Sequence, residues 1–175
     1  IIEPSLISTA PIITDVNCNG GNDGSVTLNI NGGTPGYLEN WAGFNPYALT
    51  TGTYNYTITD TNGCNYFDSV TISEPIALSI SSVVTNNICN GNSNGSVDIT
   101  ISGGTTSYSY SWSDGSTNED LTNAISGTYY LTVTDANSCI LLDTFVITEP
   151  SAIIVTSSTT NASCNGFSDG TATLS

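Results

Sequence analysis

Gly52-Thr53-Tyr54-Asn55-Tyr56-Thr57-Ile58-Thr59-Asp60 and Gly127-Thr128-Tyr129-Tyr130-Leu131-Thr132-Val133-Thr134-Asp135 are one strand written twice. Tyr54, Tyr56 and Ile58 fall on every second position, as do Tyr129, Leu131 and Val133. Alternation of this kind marks a strand with one buried face, which is the habit of antiparallel sheet. The same pattern extends outward. Val26, Leu28 and Ile30 match Val97, Ile99 and Ile101; Tyr108, Tyr110 and Trp112 form a further inward row; Val70 and Ile72 match Phe145 and Ile147. Gly-Gly-Thr, Asn-Gly and Asn-Ser clusters separate these runs as turns do. No window carries a convincing 3.6-residue apolar period, and strong helix formers are scarce. The expected fold is all-β: tandem, small, Ig-like antiparallel β-sandwich repeats, each with two sheets face to face.

The repeat can be placed to the residue. Glu3-Pro4 returns at Glu74-Pro75 and Glu149-Pro150, and Cys18-Asn19-Gly20 returns at Cys89-Asn90-Gly91 and Cys164-Asn165-Gly166, both with offsets of 71 and 75. Gly32-Gly33-Thr34 returns at 103–105, Trp41 as Trp112, and Cys64 as Cys139. The expected units are 3–73, 74–148 and the start of a third at 149–175, with 1–2 as the tail of a preceding one. The change in offset falls in residues 42–51 against 113–126, a stretch that reads as a tolerant loop.

Composition excludes several functions. The chain has 15 Asp and Glu and no Lys, Arg, His or Met. Nothing here can displace the counterions of a nucleic acid or bind an anionic membrane surface. The usual general base, Schiff-base amine and phosphate-binding guanidinium are missing. No run of 18 apolar residues occurs, so membrane insertion is not expected. The adjacent carboxylates Glu119-Asp120 sit among Thr117, Asn118, Thr122 and Asn123 and read as a solvated turn. The chain is expected not to be an enzyme.

At 71–75 residues a unit is marginal on core burial alone and gains from a covalent staple. Two pairings suggest themselves. Across a junction, Cys64–Cys89 and Cys139–Cys164 would each span 25 positions of mostly extended chain. That is up to roughly 80 Å at ~3.3 Å per residue, whereas disulfide Cα atoms lie within about 7 Å. Intra-repeat pairing, Cys18–Cys64 and Cys89–Cys139, is therefore expected, with the partner of Cys164 outside the chain. It requires an even number of strands between the cysteines. Strands near 25–31, 37–42, 47–50 and 53–60 make four.

Glu39 breaks the pattern by standing where Tyr110 stands in the next copy. A lone buried carboxylate costs several kcal/mol, so the expectation is a register shift that buries Leu38, or an edge position where the carboxylate reaches water.

Taken together, Cys-Asn-Gly, Gly-Gly-Thr, Tyr108-Ser109-Tyr110-Ser111-Trp112-Ser113-Asp114-Gly115, Gly127-Thr128-Tyr129, Thr134-Asp135 and the closing Glu-Pro resemble the SprB repeat. The first copy departs from the pattern at Glu39 and at Ala42-Gly43-Phe44. The resemblance implies very large, type IX-secreted cell-surface adhesins of gliding Bacteroidetes, and it supplies no catalytic residue. Its implied role is a structural stalk in an extracellular adhesin filament serving attachment or gliding motility. A polysaccharide-binding module and spacer repeats of a giant secreted hydrolase are the alternatives. Trp41 and Trp112 read as core rather than sugar platforms. The expected partners are neighbouring repeats of the same chain, surface polysaccharide or laterally associated chains, and the motility and secretion machinery.

Few sites suggest themselves. No cofactor is required. Ca²⁺ would suit clustered oxygens, and the candidates are Asp23 and the turns Asp60–Asn62 and Asp135–Asn137; Asx turns are the competing explanation. Ser69, in Asp68-Ser69-Val70, and Thr144, in Asp143-Thr144-Phe145, are candidate O-glycosylation acceptors. Asn55, Asn94 and Asn161 fit the N-glycosylation rule. The Glu-Pro linker predicts a semi-rigid rod, because proline restricts itself and the preceding residue. Six strands per repeat would return both ends to one side, so a rod needs a seventh, most simply from splitting 5–17 near Pro11.

Overall fold

A computed structural model describes residues 3–175; the reading of 1–2 as the tail of a preceding repeat lies outside these residues. The described residues form thirteen strands and no helix. In the first copy β1 (Ser8–Thr14) pairs with β2 (Ser25–Asn31), and β3 (Leu38–Asn40), β4 (Gly52–Thr59) and β5 (Asn65–Ile72) form a sheet in the order β3-β4-β5. In the second, β6 (Ser79–Thr85), β7 (Gly95–Ser102) and β9 (Leu121–Ala124) make one sheet. Its other sheet has the order β11-β10-β8, from β8 (Ser109–Trp112), β10 (Gly127–Thr134) and β11 (Ile140–Ile147). A hairpin of β12 (Ser157–Thr160) and β13 (Thr171–Leu174) follows. All pairings are antiparallel. The longer loop of the second copy supplies β9; in the first, the same place holds only the bridge between Gly24 and Leu49.

Each copy has its own core, filled by the inward rows. Val26, Leu28, Tyr54, Tyr56, Ile58, Val70 and Ile72 are buried around Trp41 in one, and Val97, Ile99, Tyr129, Leu131, Val133, Phe145 and Ile147 around Trp112 in the other. Buried tyrosine hydroxyls find carbonyls: Tyr54 donates to Thr50 O at 3.0 Å and Tyr129 to Ile125 O at 3.1 Å. Both tryptophans are core, and their indole N–H groups are satisfied by Glu39 (3.0 Å) and Asn118 O (3.1 Å). Glu39 itself lies on the edge strand β3 opposite Ile58, with its carboxylate exposed. The register shift is not found, for Leu38 is 68% exposed. An edge carboxylate that stays wet while accepting a hydrogen bond from the indole N–H avoids the desolvation cost.

Strand direction decides the rest. β7 and β10 end together, because Asp135, just past β10, accepts from Thr105 N, just past β7, at 2.8 Å. They therefore run the same way. β8 is antiparallel to β10 and β9 to β7, so β8 and β9 run in one direction. They are a single descent that changes sheets partway. Between Cys89 and Cys139 the chain makes three passes, not four, and the two cysteines lie at opposite ends. The first copy repeats this, with residues 41–51 in place of β9. The expected Cys18–Cys64 and Cys89–Cys139 bridges are therefore not formed. The disulfide joins Cys18 of the first copy to Cys139 of the second, while Cys64, Cys89 and Cys164 are exposed thiols.

The same count removes the need for a seventh strand. β1 is continuous through Pro11, which sits opposite Leu28. Down on β1, up on β2, down, up on β4 and down on β5 makes five passes, so each copy is entered at one end and left at the other.

Two devices close the entry end. Gly32-Gly33 and Gly103-Gly104 adopt φ between 61° and 77°. This brings the incoming chain onto the turn, with Gly33 N donating to Ser5 O and Gly104 N to Ile76 O, both at 2.7 Å. A Cβ on Gly103 would lie 2.0 Å from Ala77 O. Beside it, the buried Asp135 carboxylate accepts from Thr105, Asn137 and Cys139 N–H groups at 2.8–2.9 Å, as Asp60 does from Thr34, Asn62 and Cys64. These donors hold both carboxyls below the ordinary aspartate value; the largest cause is the Thr105 N–H for Asp135 and the Thr34 N–H for Asp60.

Two outcomes are expected. Gly103→Ala destabilises the second copy by more than about 2 kcal/mol, read by denaturant unfolding. For the aspartates, the unfolded chain takes up protons before the folded one. Their stabilisation is then complete above the unfolded pKa near 3.8 and is lost as pH falls through the lowered folded values. Acid also relieves self-repulsion among the other carboxylates, so Asp135→Asn serves as the reference. The wild-type advantage in melting temperature over this variant should shrink as pH drops below 4.

Candidate functional site at the junction between repeats

The feature that combines the motifs of the sequence is the joint between the copies. Where β5 ends, Ser73 N donates to Asp15 Oδ1 at 2.7 Å and Val16 N to Ser73 O at 3.0 Å, which fixes the exit beside the loop after β1. That loop is Cys18-Asn19-Gly20. Gly21 N donates to Cys18 O at 2.9 Å, Gly20 takes φ 75°, and Asp23 accepts from both the backbone and the side-chain amide of Asn17. The Asn17 backbone N–H is the main reason the Asp23 carboxyl is held below its ordinary value.

The loop then holds the linker. Gly20 N donates to Glu74 Oε2 at 2.6 Å and Asn19 Nδ2 to Pro75 O at 3.1 Å. A hydrogen bond from an amide to an ionised carboxylate is among the stronger kinds. Cys18 reaches across to Cys139, with Cα atoms 5.6 Å apart, and Asn137 Nδ2 donates to Asn17 O at 3.1 Å. The second joint repeats the noncovalent part. Gly91 N donates to Glu149 Oε2 at 2.8 Å, and Asn90 Nδ2 to Glu149 Oε1 and Pro150 O at 3.0 and 3.1 Å. Thus Cys-Asn-Gly is a clasp for the next Glu-Pro. The linker is gripped from below by this clasp and from above by the Gly-Gly-Thr turn.

The expected site residues now have places. Cys18 and Cys139 are brought together; Cys64, Cys89 and Cys164 are not paired. Asp60 and Asp135 are Asx-turn caps that also tie the two sheets together. Asn62 Nδ2 reaches Thr34 Oγ1 at 2.8 Å, and Asn137 does the same with Thr105 at 3.2 Å besides its bond across the joint. Among the described residues, no three His, Cys, Asp or Glu side chains gather closely enough to hold a metal. Ser69 and Thr144 are exposed on β5 and β11, beside Asp68 and Asp143 carboxylates that accept from their backbone N–H groups. Glu119 and Asp120 are exposed, and Asp120 accepts from Ile99 N at 2.9 Å on the flank of β7. The clasp itself was missed by sequence reasoning. Its signal was two polar motifs recurring unchanged in exposed positions, where packing makes no such demand.

Fold and joint together define a tandem all-β repeat whose copies are bonded to one another. The family model described as SprB repeat matches residues 10–38 and 81–117, each segment spanning a Cys-Asn-Gly loop and the following Gly-Gly-Thr turn, so these two segments are similar to SprB repeats. No curated protein matches the chain.

Peptide mapping without reduction is expected to recover Cys18 linked to Cys139, and no Cys18–Cys64 or Cys89–Cys139 peptide. On loop-entropy grounds a bridge closing 121 positions contributes about 4–5 kcal/mol. Cys18→Ser should accordingly raise hydrogen exchange at Gly20 and Asn137, on the joint, far more than at Ile58 and Val133, in the cores.

Proposed function

We propose that these repeats form the structural stalk of a long cell-surface adhesin filament, extracellular and serving attachment or gliding, rather than a catalytic unit. The observation that carries this reading is the odd number of passes: each copy receives the chain at one end and releases it at the other, so copies add in a line. The joint supports it. Three hydrogen bonds between the copies and a disulfide take the place of a hinge, whereas a flexible linker would need several free Gly or Ser residues. A disulfide suits an oxidising, extracellular compartment. The family match supports a cell-surface repeat. Buried Trp41 and Trp112 speak against sugar stacking at those positions.

Load-bearing geometry follows from the staple. Tension entering through β1 crosses from Cys18 to Cys139, and the chain between them is spared extension.

Small-angle scattering on the whole chain tests the reading. A compact globule of this length has a radius of gyration of about 16 Å. A line of copies, each one strand of ~8 residues plus end loops in height, has one clearly above about 20 Å. The compact value would mean that the copies fold back on one another, and the stalk reading would fail. A glycan array on the same protein separates stalk from adhesive tip: the stalk binds none.

A further inference from the structure

The outer face of the sheet β11-β10-β8 is apolar where the core asks for nothing apolar. Ile140, Leu142 and Val146 alternate with the inward residues of β11, so they stand outward, and they are 64%, 70% and 56% exposed. Tyr130, 61% exposed, stands outward on β10 opposite Thr144. Its diagonal neighbours across the ladder are Leu142 and Val146, within reach of an aromatic ring. The four side chains therefore make one patch. From their exposure it measures on the order of 500 Å², the scale of the largest apolar patches on monomers, which are often contact surfaces.

The same face carries no charge. Its other outward positions on the three strands are Ser or Thr, although the chain holds 15 Asp and Glu. The one acid within these strands, Asp143, is in the opposite phase, paired with Leu131, and accepts from Thr144 N at 2.7 Å. Neighbouring copies leave the patch open. Leu142 is exposed with a whole copy before it. Phe67, in the matching place on β5, is 73% exposed with a whole copy after it. Neither a preceding nor a following neighbour thus covers this position.

We propose that this face docks a second copy of the chain side by side, patch against patch. Charge selects the occupant. A basic partner would be drawn to the acidic turns, and this face offers it no carboxylate. A neutral apolar face suits another of its kind, and a second copy brings one: a two-fold contact needs only a self-complementary patch. Two chains of net charge −15 then touch where neither is charged. A sugar fits less well. Ile140, Leu142 and Val146 offer it no hydrogen bond, and no carboxylate or amide side chain stands on the face to hold its hydroxyls. The pairing buries on the order of 1,000 Å² in total, near the lower limit for a specific interface. One face therefore gives a weak pair, and a row of such faces strengthens it. The proposal rests on the face and not on the stalk reading, since it holds for any function the repeats serve.

The test uses the whole chain with Cys18–Cys139 intact and Cys64, Cys89 and Cys164 capped by iodoacetamide, so that no bridge forms between chains. Sedimentation equilibrium up to about 1 mM should show monomer and dimer in exchange. The contact is apolar and the chains repel, so raising NaCl from about 20 mM to about 500 mM should tighten the dimer severalfold. Leu142→Asp should weaken it by about tenfold or more, and Leu142→Ser should weaken it by a smaller, measurable factor. Ile12→Asp adds the same charge at a 59% exposed site on the outer face of β1 and should change the dimer less than about twofold. If Leu142→Asp fails to fold, Leu142→Ser carries the test. A chain that stays monomeric throughout, a dimer that loosens with salt, or equal loss in the Leu142 and Ile12 variants would overturn the proposal. So would a glycan-array signal that Leu142→Asp removes, which would mark a sugar face. Scattering extrapolated to infinite dilution sees only the single chain, so the stalk reading is judged separately.

Discussion

Each copy crosses its sandwich five times, and an odd count leaves the chain at the end opposite to where it entered. The exit loop of one copy therefore faces the entry end of the next. Cys18 can meet Cys139 only because of this, and so can Gly20 meet Glu74. An even count would have brought Cys18 to Cys64 and made each unit a closed, self-stapled bead. The constraint resides in an inconspicuous place, the switch of one descending stretch from the β8 side to the β9 side.

A chain without Lys, Arg or His cannot neutralise its carboxylates with side chains. Backbone N–H groups stabilise the charged form of several of them instead, by donating hydrogen bonds. Asp60 and Asp135 cap the entry turns, Asp23 and Asp169 shape the clasp loops, Asp15 holds the exit, and Glu74 and Glu149 are held by clasp glycines. Each of these uses the acidic residue as an acceptor for an N–H that the strands leave unpaired. The acidic composition is thus partly structural: Asp and Asn recur at turns because they close them, while the remaining charge keeps neighbouring surfaces apart.

Strand faces were legible in the sequence because period two records burial directly, and Tyr54, Tyr56 and Ile58 lie where alternation puts them. The turns were legible because Gly-Gly-Thr and Asp-x-Asn carry their own backbone chemistry. Disulfide connectivity was not. Stretches near 37–42 and 47–50 read as two strands, and the structure has strands at Leu38–Asn40, Ser109–Trp112 and Leu121–Ala124 but only a bridge at Leu49; nothing in their composition reports that the two stretches point the same way. The parity rule was sound and the count given to it was wrong. Glu39 shows a similar limit: its alternation phase was right, but only the edge position and the Trp41 indole explain why it is tolerated.

The exposed native thiols offer the most direct test. Spin labels on Cys64 and Cys89, with Cys164→Ser to remove the third thiol, report the separation between the entry end of the first copy and the exit end of the second. With Cys18 bonded to Cys139 and two copies in line, both thiols take label. Their separation should then be near two strand lengths, about 50 Å for ~16 residues at ~3.3 Å each. Failure of either cysteine to take label, because it is already bridged within its own copy, or a separation near a single strand length, would contradict the account.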